Sequence, residues 1–158
     1  MNYYLSIDAG TSIIKTVLFN QKFDLVCIVS VKNKVLTDEK GKSEIEMKKF
    51  WLLTSKCIKS CISKYNINPA KILAVGITGN MVGAWPIDMN NKPVRNAILW
   101  NDTRSEKVFR SLIITNKKIF QNIFNISGSV VQYGCTLPII KWLQLNEDNI
   151  LTRIKYFL

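Results

Sequence analysis

Four residues near the start of the chain, Asp8, Gly10, Thr11 and Ser12, have the types and the spacing to hold a phosphate together with its counter-cation. One apolar run ends at Ile7 and another begins at Ile13, so the stretch reads as two strands joined by an acid, glycine and hydroxyl turn. Gly10 lets the backbone turn sharply and bring its N–H groups close to an anion, and Thr11 and Ser12 add hydroxyl donors. Asp8, at the end of the first strand, is placed to hold Mg²⁺ through water, because hard cations prefer carboxylate oxygen and keep part of their hydration shell. An ordinary hairpin turn is the plainer reading of Asp-x-Gly alone.

Two further blocks carry polar groups at the ends of apolar runs. The first runs from Gly76 to Asp88 and contains Gly79-Asn80-Met81-Val82-Gly83, and the second runs from Asn96 to Glu106 and contains Trp100-Asn101-Asp102-Thr103-Arg104. Trp100 offers a flat apolar face beside the directional donors and acceptors of Asn101, Asp102 and Arg104, which suits a polyol with its C–H face and fringe of hydroxyls. Each residue also has a structural reading. Trp100 could be half-buried core, Asp102 the N-cap of a helix, Arg104 a surface partner of Glu106 or Asp102, and Asn80 a turn residue; Met81, Trp85 and Trp142 read most simply as packing.

Composition narrows the chemistry. The 158 residues suit one domain whose core needs no disulfide or metal, and the 47% hydrophobic content with near-neutral mean hydropathy suits a globular protein. No apolar run approaches the roughly 20 residues of a membrane span, and no signal-peptide pattern precedes the first strand, so a cytoplasmic protein is expected. Histidine is absent, which removes Ser-His-Asp and Cys-His mechanisms and leaves acid-base work to carboxylates. Cys27, Cys57, Cys61 and Cys135 are spread through apolar surroundings without a Cys-x-x-Cys pair and read as core. The formal net charge of +11 comes from lysines scattered along the chain, with no like-charge block and no aromatic-basic motif, so no dedicated nucleic-acid role is expected.

The elements that must position these residues follow from periodicity. Tyr3 to Asp8, Ser12 to Asn20 and Leu25 to Val31 read as three consecutive antiparallel strands, and 33–43 as a loop. A helix is predicted with Met47, Phe50, Trp51, Ile58, Cys61, Ile62 and Tyr65 on its buried stripe, and Ser43 with Glu46 as a capping box. Lys71 to Thr78, apolar almost throughout, reads as a buried strand; Gly83 to Asp88 and Pro93 to Trp100 read as a hairpin about the turn 89–92. Helices are predicted over Thr103 to Thr115, Lys117 to Phe124, Leu137 to Leu145 and Asp148 to Leu158. The last is apolar to its end, so Ile150, Ile154 and Phe157 are expected to stand exposed.

The blocks, in this order and at these separations, resemble the N-terminal part of an FGGY-type carbohydrate kinase of the xylulokinase branch. Asp8, Gly10, Thr11 and Ser12 match the family's Asp-x-Gly-Thr-[ST] loop, and Trp100, Asp102 and Arg104 match its Trp-x-Asp-x-Arg segment. Gly134-Cys135-Thr136-Leu137-Pro138, with Trp142 following, is similar to a Gly-Phe-Thr-Ala-Pro stretch of pentulose kinases. The usual Gly-Gln-Met-His-Gly segment stands here as Gly79-Asn80-Met81-Val82-Gly83, with a shorter amide and no imidazole.

The resemblance covers residues 1–158 and implies an α/β fold of the ribonuclease H-like, actin and hexokinase type. It implies transfer of the γ-phosphoryl group of ATP to a ketopentose or related polyol. Asp8 would hold Mg²⁺, Gly10, Thr11 and Ser12 the phosphates, and Asn80, Met81, Trp100, Asp102 and Arg104 the sugar. Family members are about three times longer, with the catalytic aspartate and adenosine-binding elements beyond the matched part. The expectation is therefore a truncated kinase domain, inactive alone, completed by a C-terminal half. Two other readings stay open: a non-catalytic sugar- or phosphate-binding remnant of a split gene, and a two-metal nuclease on the same fold.

Overall fold

The computed structural model describes residues 1–116 and 118–158, and the chain divides into two compact units, Met1–Val35 with Lys48–Asn80 and Leu36–Met47 with Met81–Leu158. Along the chain run β1 (Tyr3–Ala9), β2 (Ile13–Asn20), β3 (Leu25–Lys32), β4 (Leu36–Thr37), β5 (Ser43–Ile45) and α1 (Met47–Lys64). A single 3₁₀ turn, Pro69–Lys71, leads into β6 (Ile72–Gly79), followed by β7 (Gly83–Ala84), β8 (Pro86–Ile87) and β9 (Ala97–Leu99). The remainder is α2 (Glu106–Thr115), α3 (Ile119–Ser127), α4 (Thr136–Asn146), α5 (Ile150–Arg153) and β10 (Tyr156–Phe157). Lys117, the predicted start of the third helix, lies outside the described residues.

The first unit is a mixed sheet in the order β3-β2-β1-β6. The three expected antiparallel strands form its meander, and β6 lies parallel to β1. Alternation carries Leu5, Ile7, Leu18 and Cys27 to one face, where they pack with Cys61 and Ile67. Each large apolar side chain buried this way stabilises the fold by about 1.5–3 kcal/mol. The Cys57 thiol is spent structurally, donating to the Val29 carbonyl at 3.1 Å.

Several expectations are corrected here. In α1 the buried residues are Thr54, Cys57 and Cys61, while Trp51 lies toward the flank of that face and is 66% exposed. Ser43 caps no helix. It is buried in β5, a strand that starts at the last residue of the predicted loop, because β5 pairs with both β4 and β9. The apolar strand β6 is not buried but occupies the open edge of its sheet, with Leu73, Val75 and Ile77 exposed. Its register places Val75 beside Leu5 and Ile77 beside Ile7, so it extends the core face of the sheet beyond its buried part.

In the second unit the strands run β4-β5-β9-β7, with β8 and β10 forming a separate pair. Ala84, Ile98, Ile139, Leu143 and Ile150 form its core. The turn at 89–92 is as expected, closed by the Asp88 N–H donating to the Lys92 carbonyl at 2.9 Å. The last segment is not one helix. It turns after Arg153 and returns as β10 against β8, which buries Ile150 and packs Ile154 and Phe157 on the core. The exposed apolar face expected at these three residues is therefore absent.

Two substitutions check this arrangement. Ile150→Ala should destabilise the protein by about 2–5 kcal/mol, as for other fully buried aliphatic side chains, in urea unfolding. Ile77→Lys, on an edge that is 75% exposed at this residue, should leave the unfolding midpoint nearly unchanged and reduce concentration-dependent light scattering.

Candidate functional site

The phosphate-loop residues and Asn80 belong to the first unit. Met81, Trp100, Asp102 and Arg104 belong to the second. In the first, β1 and β2 stay paired up to Ala9 and Ile14, so only 10–13 make the turn. Gly10 is demanded by space, since a Cβ there would lie 2.5 Å from the Ile13 carbonyl oxygen. The Asp8 carboxylate faces the same point, with Oδ1 3.6 Å from it, and among the described residues no ion pair engages Asp8.

Asn33, which sequence reasoning missed, orients the loop. Its backbone N–H and its side-chain Nδ2 donate to the carbonyls of Ser12 and Thr11, each at 2.8 Å. In a trans peptide the C=O and the following N–H point opposite ways, so the amides of Ser12 and Ile13 point away from Asn33.

Asn80 is drawn to this loop directly. Its N–H donates to the Ala9 carbonyl at 3.3 Å and its Nδ2 donates to Thr11 Oγ1 at 2.9 Å. Because Thr11 Oγ1 accepts from Asn80, its hydroxyl proton is left to donate elsewhere. Asn80 Oδ1 is buried and has no donor among the described residues. Met81, read as packing when taken alone, is instead 88% exposed.

In the second unit, β9 ends at Leu99 and delivers Trp100 to the surface, 56% exposed. Gly134 packs flat on its backbone: a Cβ there would stand 1.7 Å from the Trp100 carbonyl oxygen. Asp102 and Arg104 behave differently from Trp100. Asp102 is almost fully buried, and its two oxygens accept from the backbone N–H groups of Ser43 and Arg104 and from the Arg104 guanidinium at 2.6–3.0 Å.

The Arg104 guanidinium also donates to Glu44 at 2.7 Å and lies over the Trp142 ring, 4.5 Å from its centroid. Glu44 in turn is gripped by Arg95, which also pairs with Glu147, and by Asn96 at 3.2 Å. Neither Glu44 nor Arg95 was singled out from sequence; 51 residues separate them, and no local pattern signals such a pairing.

Burial works against the charged Glu44 carboxylate. The hydrogen bond from Arg104 and the charges of Arg95 and Arg104 outweigh it and hold the pKa below its ordinary value. Burial likewise opposes the Arg104 charge, and the bonds to Asp102 and Glu44 outweigh it and raise the pKa.

Comparison with known proteins bears on what this geometry serves. Residues 3–158 match the model of the FGGY family of carbohydrate kinases, N-terminal domain. The chain belongs to that family. It is 32% identical over 156 residues to a xylulose kinase of Lactococcus lactis subsp. lactis, covering 98% of this chain and 30% of that one. It is 30% identical over 149 residues to a probable L-xylulose kinase of Haemophilus influenzae, covering 94% and 30% respectively. The structure superposes on that of a xyloylose kinase from Brucella ovis with a TM-score of 0.88 and 28% identity, over 99% of this chain and 32% of that chain.

A gluconate kinase from Lactobacillus acidophilus, at 19% identity, shares the fold with the same TM-score over 99% of this chain and 31% of that one. The expected fold class, the mixed α/β fold of the actin and hexokinase type, is thereby borne out. The chain spans about 30% of the length of the curated relatives it matches.

Removing Glu44 tests the ionic network. Glu44→Ala leaves two guanidiniums facing a buried gap and should cost about 3–5 kcal/mol in urea unfolding at neutral pH. Because the folded-state pKa of Glu44 is depressed, its contribution is present above the unfolded value and lost as pH falls through the folded one. The difference between wild type and Glu44→Gln should therefore shrink when unfolding is repeated below about pH 4.

Proposed function

We propose that this chain is the N-terminal portion of an ATP- and Mg²⁺-dependent kinase acting on a hydroxyl of a ketopentose or related polyol, and that it is inactive alone. The observation that supports the reading most strongly is the hydrogen bond from Asn80 to Thr11 Oγ1, which joins the sugar segment to the phosphate loop. A nucleotide phosphate fits the donors of the turn, the Thr11 and Ser12 hydroxyls and the N–H groups at 12 and 13, and Mg²⁺ fits the Asp8 carboxylate, which no ion pair engages among the described residues. When bound, the metal and nucleotide supply an electrophilic phosphorus with part of its charge neutralised.

The residues of this chain then bind and orient. Gly10 leaves room for close backbone approach, Thr11 and Ser12 donate hydroxyl protons to phosphate oxygens, and Asp8 anchors the cation through water. Within the first unit Asn80 Oδ1 is left to accept from a hydroxyl; within the second, Trp100 offers its ring to the apolar face of a sugar. Met81, exposed beside Asn80 in sequence, belongs to the same sugar-facing segment. Deprotonation of the attacking hydroxyl is left to the remainder of the kinase, the partner this reading requires.

The nuclease reading gains no support. A two-metal nuclease needs several converging carboxylates, and among the described residues no group of three or more His, Cys, Asp or Glu side chains could hold a metal. No described helix is long and apolar enough to cross a membrane.

Coupled ADP release with D-xylulose and a panel of polyols should show no turnover for the chain alone. Turnover in the usual range of roughly 1–10³ per second would overturn the claim of inactivity. Joined to the portion of the Lactococcus lactis xylulose kinase that follows the matched region, the chain should turn over D-xylulose, and Asp8→Asn should lower kcat at least about a hundredfold. A well-folded fusion without turnover would favour a non-catalytic remnant.

A further inference from the structure

The Trp-x-Asp-x-Arg segment contains one residue that faces outward and two that do not. Trp100 is more than half exposed, whereas Asp102 is buried with both oxygens engaged, and Arg104, its side chain 15% exposed, spends Nε and Nη2 on Asp102 and Glu44. We propose that Asp102 and Arg104 are positioning residues, and that Glu44, held by Arg95, is the hub through which they set the backbone carrying the Trp100 ring. The proposal rests on the reading of Trp100 as the platform for the sugar's apolar face.

Each link is a direct contact. The Ser43 N–H donates to Asp102 Oδ2 at 2.8 Å and the Ser43 hydroxyl donates to Asn101 Oδ1 at 2.8 Å, so β5 grips both residues that follow Trp100. Glu44, next on the same strand, takes the Arg104 guanidinium at 2.7 Å, and Arg104 returns to both Asp102 oxygens. Arg95 grips Glu44 from just before β9 and reaches Glu147 at the end of α4, and Asn96 adds a bond to the second Glu44 oxygen. On its other side the Trp100 carbonyl is closed in by Gly134.

The charges are what make such a hold stiff. A buried fork of guanidinium and carboxylate bonds has few alternative geometries, and leaving any one member unpaired in a desolvated site is unfavourable. Among the described residues Trp100 has no such tether on its ring, so its place depends on the backbone that Glu44 and its partners define. The segment therefore works as a stand with an open top. Asp102 and Arg104 make the stand, and Trp100 is the surface offered to a ligand.

The test reads Trp100 directly in the unmodified 158-residue chain. The protein has four tryptophans, so a ¹H–¹⁵N spectrum shows four indole N–H signals, and Trp100→Phe and Trp51→Phe assign two of them. Glu44→Gln should move the Trp100 signal and lower the apparent affinity for D-xylulose, followed on that signal, about tenfold, while the Trp51 signal of the first unit stays in place. Arg95→Lys, which keeps the charge and loses the fork, should do the same to a smaller extent and serves if Glu44→Gln unfolds the second unit. A merely structural network would lower the unfolding temperature and leave the Trp100 signal where it is; that outcome in a folded variant overturns the proposal. If D-xylulose leaves the unmodified Trp100 signal untouched while Glu44→Gln or Arg95→Lys still moves it, the positioning role stands and the sugar-platform reading falls.

Discussion

A carboxylate whose side chain is only 4% exposed, as that of Glu44 is, keeps its charge inside a protein only if other groups replace the water it has lost. Here the replacements are two guanidiniums and an amide drawn from residues 95, 96 and 104, with the Lys42 ammonium 3.8 Å away. Meeting that requirement brings β5, the approach to β9, the start of the chain beyond Trp100 and the end of α4 to one point. The apolar core of the second unit then packs beside a polar centre that tolerates little displacement. Hydrophobic contacts such as those of Ile98 and Leu143 stabilise more than they specify, whereas the charged centre admits few alternative arrangements.

The first unit meets a different constraint, that of close backbone approach. Gly10 must lack a side chain because the Ile13 carbonyl lies where a Cβ would go, and Asn33 holds the loop carbonyls on one side. The consequence is a turn whose peptide N–H groups at 12 and 13 point away from Asn33, with the Asp8 carboxylate left unpaired among the described residues. Asn80 reaches this turn because β6 runs parallel to β1 and one further backbone bond, to Ala9, carries the ladder on to it. The parallel pairing is thus what makes a residue 69 positions away a neighbour of Thr11.

Belonging to the FGGY family gives these two constraints a common context without making them equivalent. The loop around Gly10 supplies groups that remain free to bind. The centre around Glu44 supplies almost none, since its donors and acceptors are spent on one another. Sequence motifs do not distinguish the two kinds of residue, because a side chain that touches a ligand and one that holds its neighbour in place are written with the same letters.

Local chemistry was legible in the chain itself. The alternation in β1 and β2, the Asp-x-Gly-Thr-Ser turn, the helical period of α1 and the turn at 89–92 follow from side-chain period and turn residues, which act over a few positions. Tertiary structure decided what depends on distant partners. It put the apolar strand β6 on an open edge, since an uninterrupted apolar run states what a strand could bury and not what lies beside it. It made Ser43 a strand residue rather than a helix cap, and folded the last segment back as β10. It also buried Asp102 and brought Glu44, itself held by Arg95, to Arg104. That pairing spans more than 50 residues and is driven by desolvation, which no local pattern of residues records.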